Sequence, residues 1–250
     1  MVSSTRETKL AGRYRNRSDE LHGLSIAGPE SRNLLAELTR DDVSNEAFKF
    51  CAIRSTVVAG VPVILARVSF SGELGYELYC APPYQLKLYQ ALVAAGEKYG
   101  LKHYGARALM SLRLEKNWGV WTLDFRPDFT ARQSGLDAFI DYDKDADFIG
   151  KQAALAERSA PASTSLVTLL VETDIDCHHD EAIFHHGACV GYVSSGGYAH
   201  YSKQSVAMGY IPAELVDESL EFSVEILGEL CPAKLQLQPL VDPQGTRMRS

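Results

Sequence analysis

Apolar positions recur along this chain with helical spacing in some stretches and strict alternation in others, and the changes of period predict its elements. Gly28-Pro29 opens a helix, since proline suits a first helical position, and Leu34, Leu35 and Leu38 fall on its inner face. Val57-Val58, Ala59-Gly60 and the run from Val61 to Phe70 read as a hairpin whose second arm places Ile64, Ala66, Val68 and Phe70 on one face. That strand is expected to continue to Tyr79, so that Glu77 shares a face with Glu73, Gly75 and Tyr79. An amphipathic helix is predicted over 84–100, with Leu88, Leu92 and Ala95 on one stripe and a glycine stop. Another starts near Gly105 and lines up Arg107, Ser111 and Glu115 at i, i+4 and i+8.

After Lys151 the character changes. The small-residue run APAST at 160–164 reads as a linker, and short strands follow it. LEFSVEIL alternates, with Leu220, Phe222, Val224 and Ile226 inside, and Gly228-Glu229 turns the chain back. The fold class is therefore α+β. A polar tail over 1–18 precedes an α/β domain over 19–158, and the short alternating strands over 165–250 signal a barrel or a sandwich.

Composition narrows the partners. With 250 residues, 46% hydrophobic and 23% charged, the chain can bury a sizeable core, and its formal net charge of -7 argues against a nucleic-acid surface. The absence of a long apolar run excludes a membrane span from this sequence. The cysteines, Cys51, Cys80, Cys177, Cys189 and Cys231, are odd in number and scattered, which fits a reducing, cytoplasmic setting. Arg6, Lys9, Arg13, Arg15 and Arg17 read as a solvated tail rather than a transit sequence.

Several chemistries are set aside. The pairs His178-His179 and His185-His186 lack a carboxylate or thiolate cluster with zinc spacing, so no metal is expected. Neither Gly72 to Gly75 nor Gly196-Gly197 has the pattern of a phosphate or dinucleotide loop, so no FAD site is expected in this chain. There is no Gly-x-Ser-x-Gly nucleophile. Trp118, Trp121 and Phe125 are read first as core and second as rings that stack a flat ligand.

Two patterns, SFSGELGYELY and YGARALMSLRLEKNWG, resemble the glycine-cleavage T-protein family. The likeness continues in order from ELHGLSIAGPESRNLLAELT through LDAFIDYDKDADFIGKQAAL to VGYVSSGGYAHYSKQSVAMGYI, and is strongest to the folate-binding C-terminal part of dimethylglycine and sarcosine dehydrogenases. It implies a tetrahydrofolate pocket in a central cavity with Glu77, Arg107, Tyr76 and Trp118 as cofactor-binding residues, an antiparallel sheet with flanking helices, and a small antiparallel β-barrel over 165–250 as the family's C-terminal domain. It also implies aminomethyltransferase chemistry that forms 5,10-methylenetetrahydrofolate, with a flavin-containing dehydrogenase subunit as partner. An ionised carboxylate at Glu77 can accept side by side from a pterin ring N–H and its exocyclic amino group. The Arg107 fork suits either a carboxylate on the folate tail or a flat ring.

The chain departs from the family pattern in places. The family's first α/β segment, which carries the aspartate implicated in catalysis, would precede Glu20. Asn117, Thr122, Ala131 and Gln133 stand where relatives usually have Gly, Gly, Pro and Glu, and the C-terminal tyrosine that touches folate has no counterpart in LVDPQGTRMRS. These departures motivate an alternative, a non-catalytic folate-binding or structural module completed by a partner.

Overall fold

X-Gly pairs close three hairpins. Ala59-Gly60, His186-Gly187 and Leu227-Gly228 each have positive φ at both positions and join directly paired strand ends. This is the primed turn whose twist matches that of the flanking strands. A computed structural model describes residues 15–250; Arg6, Lys9 and Arg13 of the basic cluster lie outside the described residues. Arg15 and Arg17 both pair with Glu20.

The described residues form two compact units, one running up to Val68 together with Gly75–Leu101, the other Ser69–Leu74 together with Lys102–Ser250. The first contains β1 (His22–Ala27), α1 (Ser31–Leu38), β2 (Ile53–Val58), β3 (Val61–Ala66), β4 (Gly75–Cys80) and α2 (Gln85–Gly96). Its four strands pair antiparallel in the order β1-β4-β3-β2. Leu34 and Leu35 of α1 and Leu88 and Leu92 of α2 are buried, as their spacing predicts. Gly100, at φ 68, ends the short helical turn that follows α2.

The expected single strand from Val61 to Tyr79 is two strands. After Ala66 the Arg67 backbone still bonds to Ala52 and Cys51, each at 2.9 Å, while its buried guanidinium donates to the Phe48 carbonyl and Asn45 Oδ1, each at 2.6 Å. Two residues on, the Ser69 hydroxyl donates to the Glu73 carbonyl at 2.6 Å and closes a turn. The chain then returns as β4, pairing Ile64 with Tyr79 and Ala66 with Glu77. The positions of β3 that reach the core most completely are Val61, Val63 and Leu65. Ile64 and Ala66 belong to the alternate face, the one that carries Glu77.

The second unit holds α3 (Ala106–Leu114), α4 (Lys151–Arg158), β5 (Thr164–Val171), β6 (Ala182–His185), β7 (Ala188–Ala199), β8 (Gln204–Pro212), β9 (Glu221–Ile226), β10 (Glu229–Leu235) and the short α5 (Thr246–Arg249). The strands close a barrel in the order β10-β5-β8-β7-β6-β9. Phe222, Val224 and Ile226 alternate into its core with Leu169, Ile183 and Val193. Gly191 and Gly209 let β7 and β8 cross closely: a Cβ at Gly191 would sit 1.9 Å from the Tyr210 carbonyl oxygen. Leu114 of α3 packs with Ala199, Val206 and Met208, so α3 and the loops after it belong with the barrel.

Candidate functional site

Glu77 sits mid-strand on β4 between Tyr76 and Leu78, both fully buried, and its own side chain is half-buried on the opposite face. Register places Ser25 and Ala66 beside it, with Ile53 beyond Ala66. The Tyr79 hydroxyl donates to Glu77 Oε2; among the described residues Oε1 accepts no hydrogen bond. That bond to the carboxylate, with burial second, pushes the Tyr79 phenol up to about 12. Glu77 is thus fixed at one oxygen and open at the other. Tyr76 points the other way, by the period of the strand, and stacks on Phe48 with ring centroids 6.1 Å apart. It is part of the core of its unit.

The other two expected site residues belong to the second unit. Arg107 is exposed in the first turn of α3, and among the described residues it makes no hydrogen bond or ion pair. The preceding residue Gly105 provides no side-chain cap and the first turn holds no acid, so the free amides and the guanidinium form an electropositive helix end. The rest of the expected stripe is structural. Ser111 Oγ donates to the Tyr198 carbonyl at 2.8 Å and accepts the His200 amide at 3.2 Å. The buried Glu115 carboxylate accepts the amides of Tyr201 and Ser202. Trp118 is half-buried, stacked with Phe70 at 6.5 Å, with the Lys116 ammonium 5.6 Å from its ring centroid. Trp121, expected as core, is instead 74% exposed.

Sequence reasoning missed the most heavily bonded carboxylate. Asp124 is fully buried and receives Arg113 Nη1 at 3.0 Å, the Val120 amide at 2.8 Å, and the hydroxyls of Ser194 and Ser195 at 2.5 and 2.6 Å. Tyr210 extends the network through the Asp124 carbonyl and Ser134. Burial draws the Arg113 pKa down, and Asp124 opposes that shift. No local motif marks these residues, because they meet only when α3, the following loop and the barrel strands pack. A cavity of about 30 Å³, lined among others by Glu73, Glu115, Lys116, Tyr201 and Arg247, has room for about one or two waters and not for a folate. Among the described residues no cluster of His, Cys, Asp and Glu could hold a metal ion, all five cysteines are free, and no helix is long and apolar enough to cross a membrane.

Residues 3–144 match the model of the GCVT N-terminal domain, and residues 165–242 that of the glycine cleavage T-protein C-terminal barrel domain. The chain belongs to the glycine-cleavage T-protein family. It is similar to human mitochondrial dimethylglycine dehydrogenase, 38% identical over 236 residues that make up 94% of this chain and 27% of that protein. It is 31% identical to an aminomethyltransferase of Bacillus velezensis over 90% of this chain and 61% of the relative. Among solved structures, aminomethyltransferase T of the glycine cleavage system from Bartonella henselae superposes with a TM-score of 0.77 at 25% identity, covering 88% of this chain and 60% of that one. The chain thus spans about a quarter of the dehydrogenase's length.

Three departures from the T-protein pattern take on structural meaning. Asn117 and Thr122, which replace expected glycines, have φ of 54° and 72°. The backbone keeps the left-handed conformation that glycine would adopt freely; asparagine tolerates it, and β-branched threonine is strained there. Gln133, in place of the expected glutamate, accepts the Thr130 amide at 2.9 Å while Thr130 Oγ1 accepts the Gln133 amide at 3.2 Å. That reciprocal pair is a capping-box arrangement, and it needs hydrogen bonds rather than charge.

Proposed function

We propose that this chain is the tetrahydrofolate-binding, one-carbon-accepting module of an aminomethyltransferase-type enzyme related to dimethylglycine and sarcosine dehydrogenases. The observation that carries the reading is Glu77, at the Gly-x-Glu position of the family pattern, with one carboxylate oxygen tied to Tyr79 and the other open. A reduced pterin presents a ring N–H beside an amino group, and this carboxylate has the lone pairs to accept both. Within its own unit Arg107, solvent-exposed and with no side-chain partner among the described residues, offers a guanidinium and a helix end suited to an anionic group.

Tetrahydrofolate, when bound, supplies the nucleophilic nitrogens that capture a methylene unit and give 5,10-methylenetetrahydrofolate. The chain's own work is to hold the pterin edge at Glu77 and to restrain the folate so that the reacting partners meet at high effective concentration. A flavin-containing dehydrogenase part supplies the methylene unit in this reading, and the cytoplasm is its setting. Turnover is assigned to the longer protein or complex, because the chain spans only part of its relatives.

The test is anaerobic calorimetric titration of the folded chain with tetrahydrofolate, beside Glu77→Ala. Binding weakened at least about tenfold in the variant, with unchanged folding, supports the assignment, in line with loss of hydrogen bonds to a charged group. Equal binding by both proteins removes it.

A further inference from the structure

We propose that Tyr79 is a positioning residue for Glu77: its hydroxyl fixes the plane of the carboxylate so that the edge left open meets adjacent N–H donors of the ligand. The inference rests on the folate reading of Glu77. A glutamate on an open sheet face is free to rotate about its last torsion, and a carboxylate that rotates cannot hold two hydrogen bonds side by side. Here Oε2 receives the Tyr79 hydroxyl, donated from two residues along the same face of β4. One of about four acceptor sites on the carboxylate is used, leaving Oε1 whole and Oε2 in part for the ligand.

The tyrosine is itself held by a gap in the neighbouring strand. Gly23 stands opposite Tyr79 in the β1–β4 pair. A Cβ at Gly23 would lie 3.2 Å from Tyr79 Cε1 and 3.3 Å from Cδ1, tighter than an ordinary contact. The ring therefore lies over the bare backbone of Gly23, and a methyl there would require it to give by a few tenths of an ångström. On the other flank Ile64 is its partner in β3. The raised phenol pKa agrees with this arrangement, since the hydroxyl stays protonated and able to donate throughout the neutral range. Gly23, Tyr79 and Glu77 form one chain of support from backbone to ligand edge.

The experiment is anaerobic titration with tetrahydrofolate of the intact chain, Tyr79→Phe, Glu77→Ala, the double variant and Gly23→Ala, with the thermal midpoint of each measured alongside. Tyr79→Phe is expected to weaken binding about tenfold, the scale of one hydrogen bond to a charged group, with little change in midpoint. The double variant should bind no worse than Glu77→Ala, because Tyr79 acts only through Glu77. Gly23→Ala, which keeps the hydroxyl but shifts the ring slightly, should weaken binding in the same direction by less. The Tyr79 phenol, followed by carbon NMR, should ionise near 12 in the intact chain and fall toward about 10 in Glu77→Gln. Full affinity in Tyr79→Phe with loss in Glu77→Ala overturns the positioning role and leaves the folate reading standing. Full affinity in Glu77→Ala, or no binding by the intact chain, overturns the folate reading and this inference with it.

Discussion

Glu77 and Asp124 show how differently two carboxylates are treated in the two units. Asp124 accepts from a guanidinium, an amide and two hydroxyls with no exposure at all. Glu77 accepts from a single hydroxyl and stays half-exposed on a sheet face that also carries Ile53 and Val57, 67% and 52% exposed. A saturated, buried carboxylate has nothing left to offer a ligand, and removing any partner leaves charge stranded in low dielectric. A carboxylate fixed at one oxygen is oriented yet available. The comparison separates the residue that holds the fold from the one assigned to the ligand, although both are acidic and both are hydrogen-bonded.

The largest effect is expected on removing Arg113. Arg113→Met should cost about 3–5 kcal/mol by leaving Asp124 buried without its cation, read as a lowered midpoint in denaturant, whereas Glu77→Ala should cost less than about 1 kcal/mol. A loss below about 1 kcal/mol for Arg113→Met would mean that the serines and the Val120 amide suffice for Asp124. Ligand affinity should show the reverse order, as in the titrations above.

Dependence on pH sharpens the contrast more gently. Asp242 accepts the Thr246 hydroxyl and the amides of Arg247 and Thr246, with Lys116 nearby, and its pKa is held down to about 2. A depressed carboxylate contributes stability that is present above its unfolded pKa of about 3.9 and is lost as pH falls through the folded value. Acid unfolding followed by circular dichroism should therefore steepen between about pH 4 and 2, and Asp242→Asn should flatten it. Tyr79 behaves oppositely: with its phenol raised to about 12, its contribution is full below about pH 10 and is lost as pH rises through the folded value. Tyr79→Phe should remove that alkaline component and leave the acid limb alone.

The smallest effect concerns the strained backbone after α3. Thr122→Gly should raise stability by about 0.5 kcal/mol, the relief of a left-handed β-branched residue less the entropy of a free glycine. Asn117→Gly should stay within a few tenths of a kcal/mol. Thermal midpoints of the two variants check the pair, and a loss at Thr122→Gly would show that its side chain contributes more than its φ costs.

Much of the local structure was legible because it depends on neighbours in sequence. The Ala59-Gly60 turn, the buried leucines of α1 and α2, and the alternation of Phe222, Val224 and Ile226 follow from turn chemistry and side-chain period. The likeness around Glu77 and Arg107 was carried by short runs of residues. The break between β3 and β4 was not legible, because the alternating apolar pattern continues past Ala66 and the turn closed by Ser69 and Glu73 carries no Asn-Gly or Asp-Gly signal. Nor was the burial of Glu115, whose stripe with Arg107 and Ser111 reads equally well as a ligand face until the Tyr201 and Ser202 amides close on it.

From the chain alone came the periods, the Ala59-Gly60 and Gly228-Glu229 turns, and the family likeness, because each depends on residues near one another in sequence. Tertiary structure alone decided which charges are spent and which are free. Asp124 lies 70 and 71 residues from the serines that bond it, and a charge becomes structural or available only when folding has brought it every donor it will have.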